Sequence, residues 1–111
     1  MGDPWLEKFK EEVLPQIVAE FSPSMVLLFG SRVRGDAEED ADIDVVIVSE
    51  AFAGIPFVKR MPAVLKNINF EKHIDAVCYL PDEFERIKEQ SAVLMDALEY
   101  GELIRYSPKK R

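Results

Sequence analysis

The stretch MVLLFGSRVRG (residues 25–35), followed by DIDVVIV (residues 42–48), decides how this chain folds. Each contains an apolar run typical of a buried strand, the first ended by Gly30 and the second preceded by Asp42 and Asp44. Because side chains alternate along a strand, two carboxylates one residue apart point to the same side of the sheet. Asp44 therefore lies at the edge of the apolar interior, where an unpartnered charge is unfavourable.

A turn with anion-binding groups comes before these two acids. Gly30 allows a close approach of the backbone to a phosphate, Ser31 offers a hydroxyl, and Arg32 and Arg34 offer positive charge. A third acid, Asp75, lies within another apolar run. Carboxylates prefer hard divalent cations such as Mg²⁺ or Mn²⁺, which also bind triphosphate oxygens. The combination indicates transfer of a nucleotide from a triphosphate.

Each part of this pattern has a plainer explanation when taken alone. Asp42 and Asp44 can be solvated acids at the start of a strand, and Asp75 can form a salt bridge with Lys72 or with a helix residue. His73 lies near the third acid, but an ordinary, partly exposed histidine explains it equally well. The combination of these parts is much rarer. A strand leads into a Gly-Ser-Arg turn, and ten residues separate the serine from an Asp-x-Asp on a second strand. The conjunction favours a nucleotidyltransferase site.

Periodicity and breaker residues predict the order helix, strand, strand, helix, strand, helix, with a short strand at the end. The predicted helices cover residues 4–21, divided near Pro15, then 57–68 and 81–100, and the predicted strands cover residues 25–29, 43–48, 74–80 and 103–106. Residues 32–41 are predicted to be a polar connection. This order indicates an α+β fold in which a small sheet packs against helices.

Composition limits the functions that are open to the chain. The length of 111 residues predicts one domain over residues 1–111, and the net charge of −7 disfavours binding to nucleic acid or anionic lipid. No apolar run approaches the roughly 20 residues of a membrane span. The lone Cys78 excludes an intramolecular disulfide and fits a reducing, cytoplasmic location. The basic residues 109–111 are expected to be a solvated tail.

The segments LFGSRVRG (residues 28–35) and DIDV (residues 42–45) resemble the signature of the DNA polymerase β-type nucleotidyltransferase superfamily. More narrowly, the chain resembles the minimal nucleotidyltransferases of archaea and bacteria. The segment ALEYGELIRY (residues 97–106) is similar to the last helix and strand of that group. The resemblance implies an α+β, nucleotidyltransferase-like fold with a mixed sheet. One departure is Ala41, where relatives often have serine, and it removes a hydrogen bond but no metal ligand.

The resemblance also implies a role for each site residue. Gly30 and Ser31 would hold the triphosphate, with the two arginines of the turn contributing charge. Asp42 and Asp44 would bind two Mg²⁺ ions, and Asp75 would share the metal and promote attack by a hydroxyl group. The implied reaction is transfer of a nucleoside monophosphate, with AMP from ATP as the leading choice, and release of pyrophosphate.

The acceptor of the nucleotide is the least specified part of this expectation. Larger members of the superfamily carry extra domains that bind the acceptor. We do not expect such a domain within these 111 residues. The resemblance implies a HEPN-type toxin as the protein acceptor, with this chain acting as its antitoxin. Two alternatives stay open: a non-catalytic antitoxin that neutralises its partner by occlusion, and a homodimer that modifies a small, aminoglycoside-like alcohol.

Overall fold

The computed structural model describes residues 2–107 of the chain. Within that range, the helices span Pro4–Glu12 (α1), Leu14–Phe21 (α2), Ser31–Arg34 (α3), Phe57–Leu65 (α4), Pro81–Ile87 (α5) and Ala92–Tyr100 (α6). The strands span Met25–Phe29 (β1), Ile43–Val48 (β2), Ile74–Tyr79 (β3) and Glu102–Arg105 (β4), and a 3₁₀ turn spans Glu50–Phe52. None of the helices within residues 2–107 is long and apolar enough to cross a membrane.

The strands form one mixed sheet in the order β3-β2-β1-β4. Strand β1 is antiparallel to both β2 and β4, whereas β2 is parallel to β3. This arrangement confirms the expected α+β fold with a mixed sheet. It also brings the beginnings of β2 and β3 to the same end of the sheet as the end of β1.

Helices cover both faces of the sheet, and the alternation of side chains along β2 separates the two layers. Val45 and Ile47 lie in the layer formed with α1, α2 and α4. Val46 and Val48 lie in the opposite layer, where they pack with Phe84 of α5 and other apolar residues of β1 and α6. Strand β2, in the centre of the sheet, is therefore buried on both faces from Val45 onward, which explains its continuous apolar sequence.

Two helix boundaries lie where the sequence indicates them. Asp3 accepts hydrogen bonds from the backbone N–H groups of Trp5 and Leu6 at 2.8 and 3.2 Å, so it caps α1. The first predicted helix is divided at Val13, immediately before Leu14 and Pro15, because proline at the start of α2 cannot continue the preceding helix. The division expected near Pro15 is confirmed.

Several predicted boundaries are wrong, among them the end of the third strand, which is expected at residue 80 and lies at Tyr79. The helix expected over residues 81–100 is two helices, because Ser91 accepts a hydrogen bond from Leu94 N–H at 3.2 Å and starts α6 as a new N-cap. The helix expected over residues 57–68 ends at Leu65. The polar connection expected from residue 32 begins with the helical turn α3. The expected edge strand is present as Glu102–Arg105, and the basic residues 109–111 lie outside the described range.

Candidate active site

Two carboxylates from different strands lie side by side at the end of the sheet where β2 and β3 begin. Asp44 of β2 and Asp75 of β3 are register partners, and neighbouring strands lie about 4.8 Å apart, so their side chains project side by side from the same face. Asp42 comes two residues before Asp44, just before β2 begins, and is near enough for its charge to act on Asp44. Asp42 and Asp75 are exposed, whereas Asp44 is partly buried. The three acids thus lie near one another at this end of the sheet.

The alternative partner considered for Asp75 is engaged elsewhere. Lys72 donates a hydrogen bond to the Glu39 carbonyl at 2.7 Å, and its Nζ lies 3.7 Å from the Glu39 carboxylate. The same ammonium group lies 5.0 Å from the centroid of the Trp5 ring. Asp75 instead lies beside Asp44 and is exposed, so water solvates its charge at this position of the strand.

Mutual repulsion and burial both act on Asp44. Loss of hydration is the largest cause that raises the pKa of this carboxyl, and the charges of Asp75 and Asp42 raise it further. The charge of Arg34 partly offsets these effects. A cation bound beside Asp44 would stabilise the ionised carboxylate, which burial and repulsion destabilise. The electrostatics of the three acids therefore favour occupation by positive charge.

The Gly-Ser turn lies directly against Asp44. Phe29, the last residue of β1, is the antiparallel register partner of Asp44, and Gly30 follows with a φ of 88°. A methyl group at Gly30 would overlap the Asp44 carboxylate, so the residue is required both by its backbone conformation and by the close approach. Ser31 then begins α3 beside the acids. The turn that is expected to bind a phosphate therefore lies next to one of the acids.

The two arginines of the turn have different surroundings. Arg34 is about half-exposed, and its Nε lies 3.6 Å from an oxygen of Asp36. Arg32 is buried and forms an ion pair with Asp3 at 3.0 Å, on the side of α1. This placement differs from the phosphate contact expected for Arg32, because its donors are occupied within the protein. Of the two arginines, Arg34 is the one whose charge reaches Asp44.

Three further residues border the acids and the turn. His73 is largely exposed, and its Nδ1 lies 3.4 Å from an oxygen of Asp42. Asp96 and Tyr100 of α6 line a shallow crevice together with Gly30 and Arg34. Sequence reasoning missed both α6 residues, because nothing in the spacing of a helix tells which strand end it will cover.

The donor set suits a hard divalent cation, although it is incomplete on its own. Asp42, Asp44 and Asp75 offer only carboxylate oxygens, which Mg²⁺ and Mn²⁺ prefer. Within residues 2–107, no three histidine, cysteine, aspartate or glutamate side chains are grouped closely enough to hold an ion unaided. Mg²⁺ commonly binds through one or two carboxylates together with substrate phosphates and water. The acids therefore fit an ion that arrives with a nucleotide.

Comparison with known proteins supports the same interpretation. Residues 7–107 match the family model described as a nucleotidyltransferase domain. A 50-residue segment is 36% identical to the protein adenylyltransferase MntA of Thermococcus cleftensis, and it covers 45% of this chain and 41% of that relative. The alignment thus spans less than half the length of that protein.

A solved structure also resembles the chain. The crystal structure of a Sulfolobus solfataricus protein, described as a nucleotidyltransferase, superposes with a TM-score of 0.56 at 28% sequence identity. The superposition covers 73% of this chain and 72% of the other.

Proposed function

The chain belongs to the nucleotidyltransferase domain family, and from this premise we propose that it transfers AMP from ATP to a hydroxyl group of a partner protein, with Mg²⁺ as cofactor. The single observation that carries the proposal is the pairing of Asp44 with Asp75 immediately beside Gly30. The similarity to a protein named as a protein adenylyltransferase supports a protein acceptor.

Each residue has a defined task in this proposal. Gly30 and Ser31 bind the triphosphate through backbone N–H groups and a hydroxyl, and Arg34 neutralises part of its charge. Asp42, Asp44 and Asp75 would hold two Mg²⁺ ions, which screen the triphosphate and polarise the phosphorus that is attacked. Asp75, exposed at the mouth of the site, accepts the proton of the acceptor hydroxyl.

The reaction is a substitution at the α-phosphorus of ATP. A new bond forms between the acceptor oxygen and the α-phosphorus, and the bond from that phosphorus to the oxygen bridging to the β-phosphate breaks. Pyrophosphate leaves with the electron pair of the broken bond. Exposure of Asp42 and Asp75 leaves the acids open to an acceptor as large as another protein.

The identity of the protein acceptor rests on the resemblance to minimal nucleotidyltransferases. We assign this role to a HEPN-type toxin, which the chain would inactivate as its antitoxin. The net charge of −7 suits association with a basic protein surface.

Radiolabelled ATP tests the reaction and the residues at once. The chain is incubated with Mg²⁺, ATP labelled at the α-phosphate, and the product of the adjacent gene. We expect the partner to be labelled by the wild type and not by Asp44→Asn. Asp82→Asn, at the start of α5 near the opposite end of the sheet, is the matched control and should label as the wild type does. Equal labelling by Asp44→Asn and wild type would contradict the assignment.

The same variant separates catalysis from occlusion. If the chain neutralises its partner by covering it, Asp44→Asn neutralises as well as the wild type. If neutralisation depends on adenylylation, the variant loses it while binding to the partner persists.

A further inference from the structure

The three acids of the site are not held in place by the same means. Asp44 and Asp75 belong to paired strands, and their register fixes them. Asp42 precedes β2 and belongs to the connection over residues 35–42, and its side chain is 46% exposed. Its position beside Asp44 therefore depends on whatever holds this connection.

Arg32 holds the connection through hydrogen bonds to its backbone carbonyls. Its Nε donates to the Ala41 carbonyl at 2.9 Å, and its Nη2 donates to the carbonyls of Glu38 and Glu39 at 3.4 and 2.9 Å. Its Nη1 donates to both oxygens of Asp3, at 3.2 and 3.0 Å. A guanidinium group has five N–H donors, and all five are thus engaged. The residue is 5% exposed, so none of these bonds competes freely with water.

The connection also concentrates negative charge near this guanidinium group. Residues 36–42 include the acids Asp36, Glu38, Glu39, Asp40 and Asp42, and like charges at such spacing repel one another. The guanidinium of Arg32 supplies a buried positive charge among their backbone carbonyls. It also ties the connection to the cap of α1 through Asp3.

We propose that Arg32 is a positioning residue of the site: it fastens the connection so that Asp42 stands beside Asp44 and completes the cation site. The inference rests on the proposed function in that Asp42 is taken as a cation ligand. It assigns Arg32 an effect on cation affinity in place of a contact with the triphosphate. The guanidinium acts through the Ala41 carbonyl, one residue before Asp42.

Arg60 provides a matched control for burial and hydrogen bonding. It is also 5% exposed, and its Nη1 and Nη2 lie 2.6 and 3.2 Å from the Glu83 carboxylate. It further donates to the carbonyls of Ile55 and Cys78. Removing this guanidinium leaves a comparable set of unpaired groups at a place that does not contact the acids.

Titration with Mn²⁺ in the presence of a non-hydrolysable ATP analogue, with protein-bound Mn²⁺ detected by the enhancement of water proton relaxation, tests the inference on the whole chain. Loss of a residue that orients a metal ligand typically weakens metal affinity about 10- to 100-fold. We expect Arg32→Gln to weaken Mn²⁺ binding by about tenfold, as Asp42→Asn does, and to add nothing when combined with Asp42→Asn. Arg60→Gln should unfold at lower urea concentration yet bind Mn²⁺ with wild-type affinity.

Each result has a distinct meaning. Wild-type Mn²⁺ affinity in Arg32→Gln, or an equal further loss in the Asp42→Asn background, would overturn the inference. If Arg32→Gln does not fold, Arg32→Lys keeps the charge with fewer donors, and wild-type affinity there would overturn the inference as well. Weakened Mn²⁺ binding in a chain that transfers no AMP would refute the proposed function alone. Absence of Mn²⁺ binding by the wild type in the presence of the ATP analogue would refute both.

Discussion

Asp75 lies beside Asp44 at the same register position of two parallel strands, although 31 positions separate them in the sequence. The pairing is a direct consequence of the parallel alignment of β2 with β3. Each strand is apolar beyond its acid, so burial fixes the register, and a slip by one residue would turn every side chain to the wrong face. The same packing that forms the core therefore sets the two carboxylates together.

Repulsion at Asp44 predicts a pH-dependent stability. Because the pKa of this carboxyl is raised in the folded state, the folded chain keeps the proton to higher pH than the unfolded chain does. Its contribution to stability is therefore full below the ordinary carboxyl pKa of about 3.9 and is lost as pH rises through the raised value. We expect Asp44→Asn to gain stability relative to wild type over this window, as measured by urea unfolding without divalent cations.

Divalent cation should reverse this difference. In the presence of a non-hydrolysable ATP analogue, Mg²⁺ that binds only the folded state raises the wild-type unfolding midpoint at neutral pH, and it should do so much less in Asp44→Asn. A wild type whose stability rises with pH through the same window, relative to the variant, would contradict the electrostatic account.

A methyl group at Gly30 should damage both stability and activity. Alanine there adopts a strained positive φ and also meets the Asp44 carboxylate. Gly54 has a similar φ of 83° but open space around the added methyl group, so Gly54→Ala measures the backbone strain alone. We expect Gly30→Ala to be less stable than Gly54→Ala by about 1–3 kcal/mol in urea unfolding, the usual range for overpacking.

Activity gives the second half of this comparison. Gly54→Ala should transfer AMP at the wild-type rate under conditions in which it is folded, whereas Gly30→Ala should not. Equal stability and equal activity of the two variants would mean that the turn does not lie against the carboxylate.

Removal of the Arg34 charge should weaken nucleotide binding. The side chain is about half-exposed beside the turn, and its charge acts on Asp44. We expect Arg34→Gln to raise the KM for ATP about tenfold, equivalent to about 1.4 kcal/mol, with a smaller change in kcat. Arg86→Gln, on α5, is the control and should leave KM unchanged. An unaltered KM in Arg34→Gln would exclude a phosphate contact by this residue.

The sequence predicts the parts of the site that depend on local pattern. Apolar runs bounded by Gly30 and by the acids give β1 and β2 at their observed limits. Alternation along β2 predicts that Asp42 and Asp44 share one side. Asp75 is a candidate third acid because a charge in an apolar strand needs a polar partner, but its pairing with Asp44 depends on the parallel alignment of β2 with β3.

Other parts depend on contacts distant in the chain and were not predictable. The spacing of the turn makes Arg32 and Arg34 look equivalent, yet only Arg32 meets Asp3, 29 positions away. The break in the last helix depends on whether Ser91 acts as a cap or as an interior helical residue, and periodicity does not distinguish these. Tyr100 lies near the turn because α6 packs against β1.

A crystal structure with Mg²⁺ and a non-hydrolysable ATP analogue tests the central claim most directly. The account predicts the triphosphate between Ser31 and the acids, with Mg²⁺ bound to Asp42, Asp44 and Asp75. A nucleotide bound at another place, such as the cavity of about 630 Å³ at the opposite end of the sheet beside Val18 and Tyr106, would contradict it.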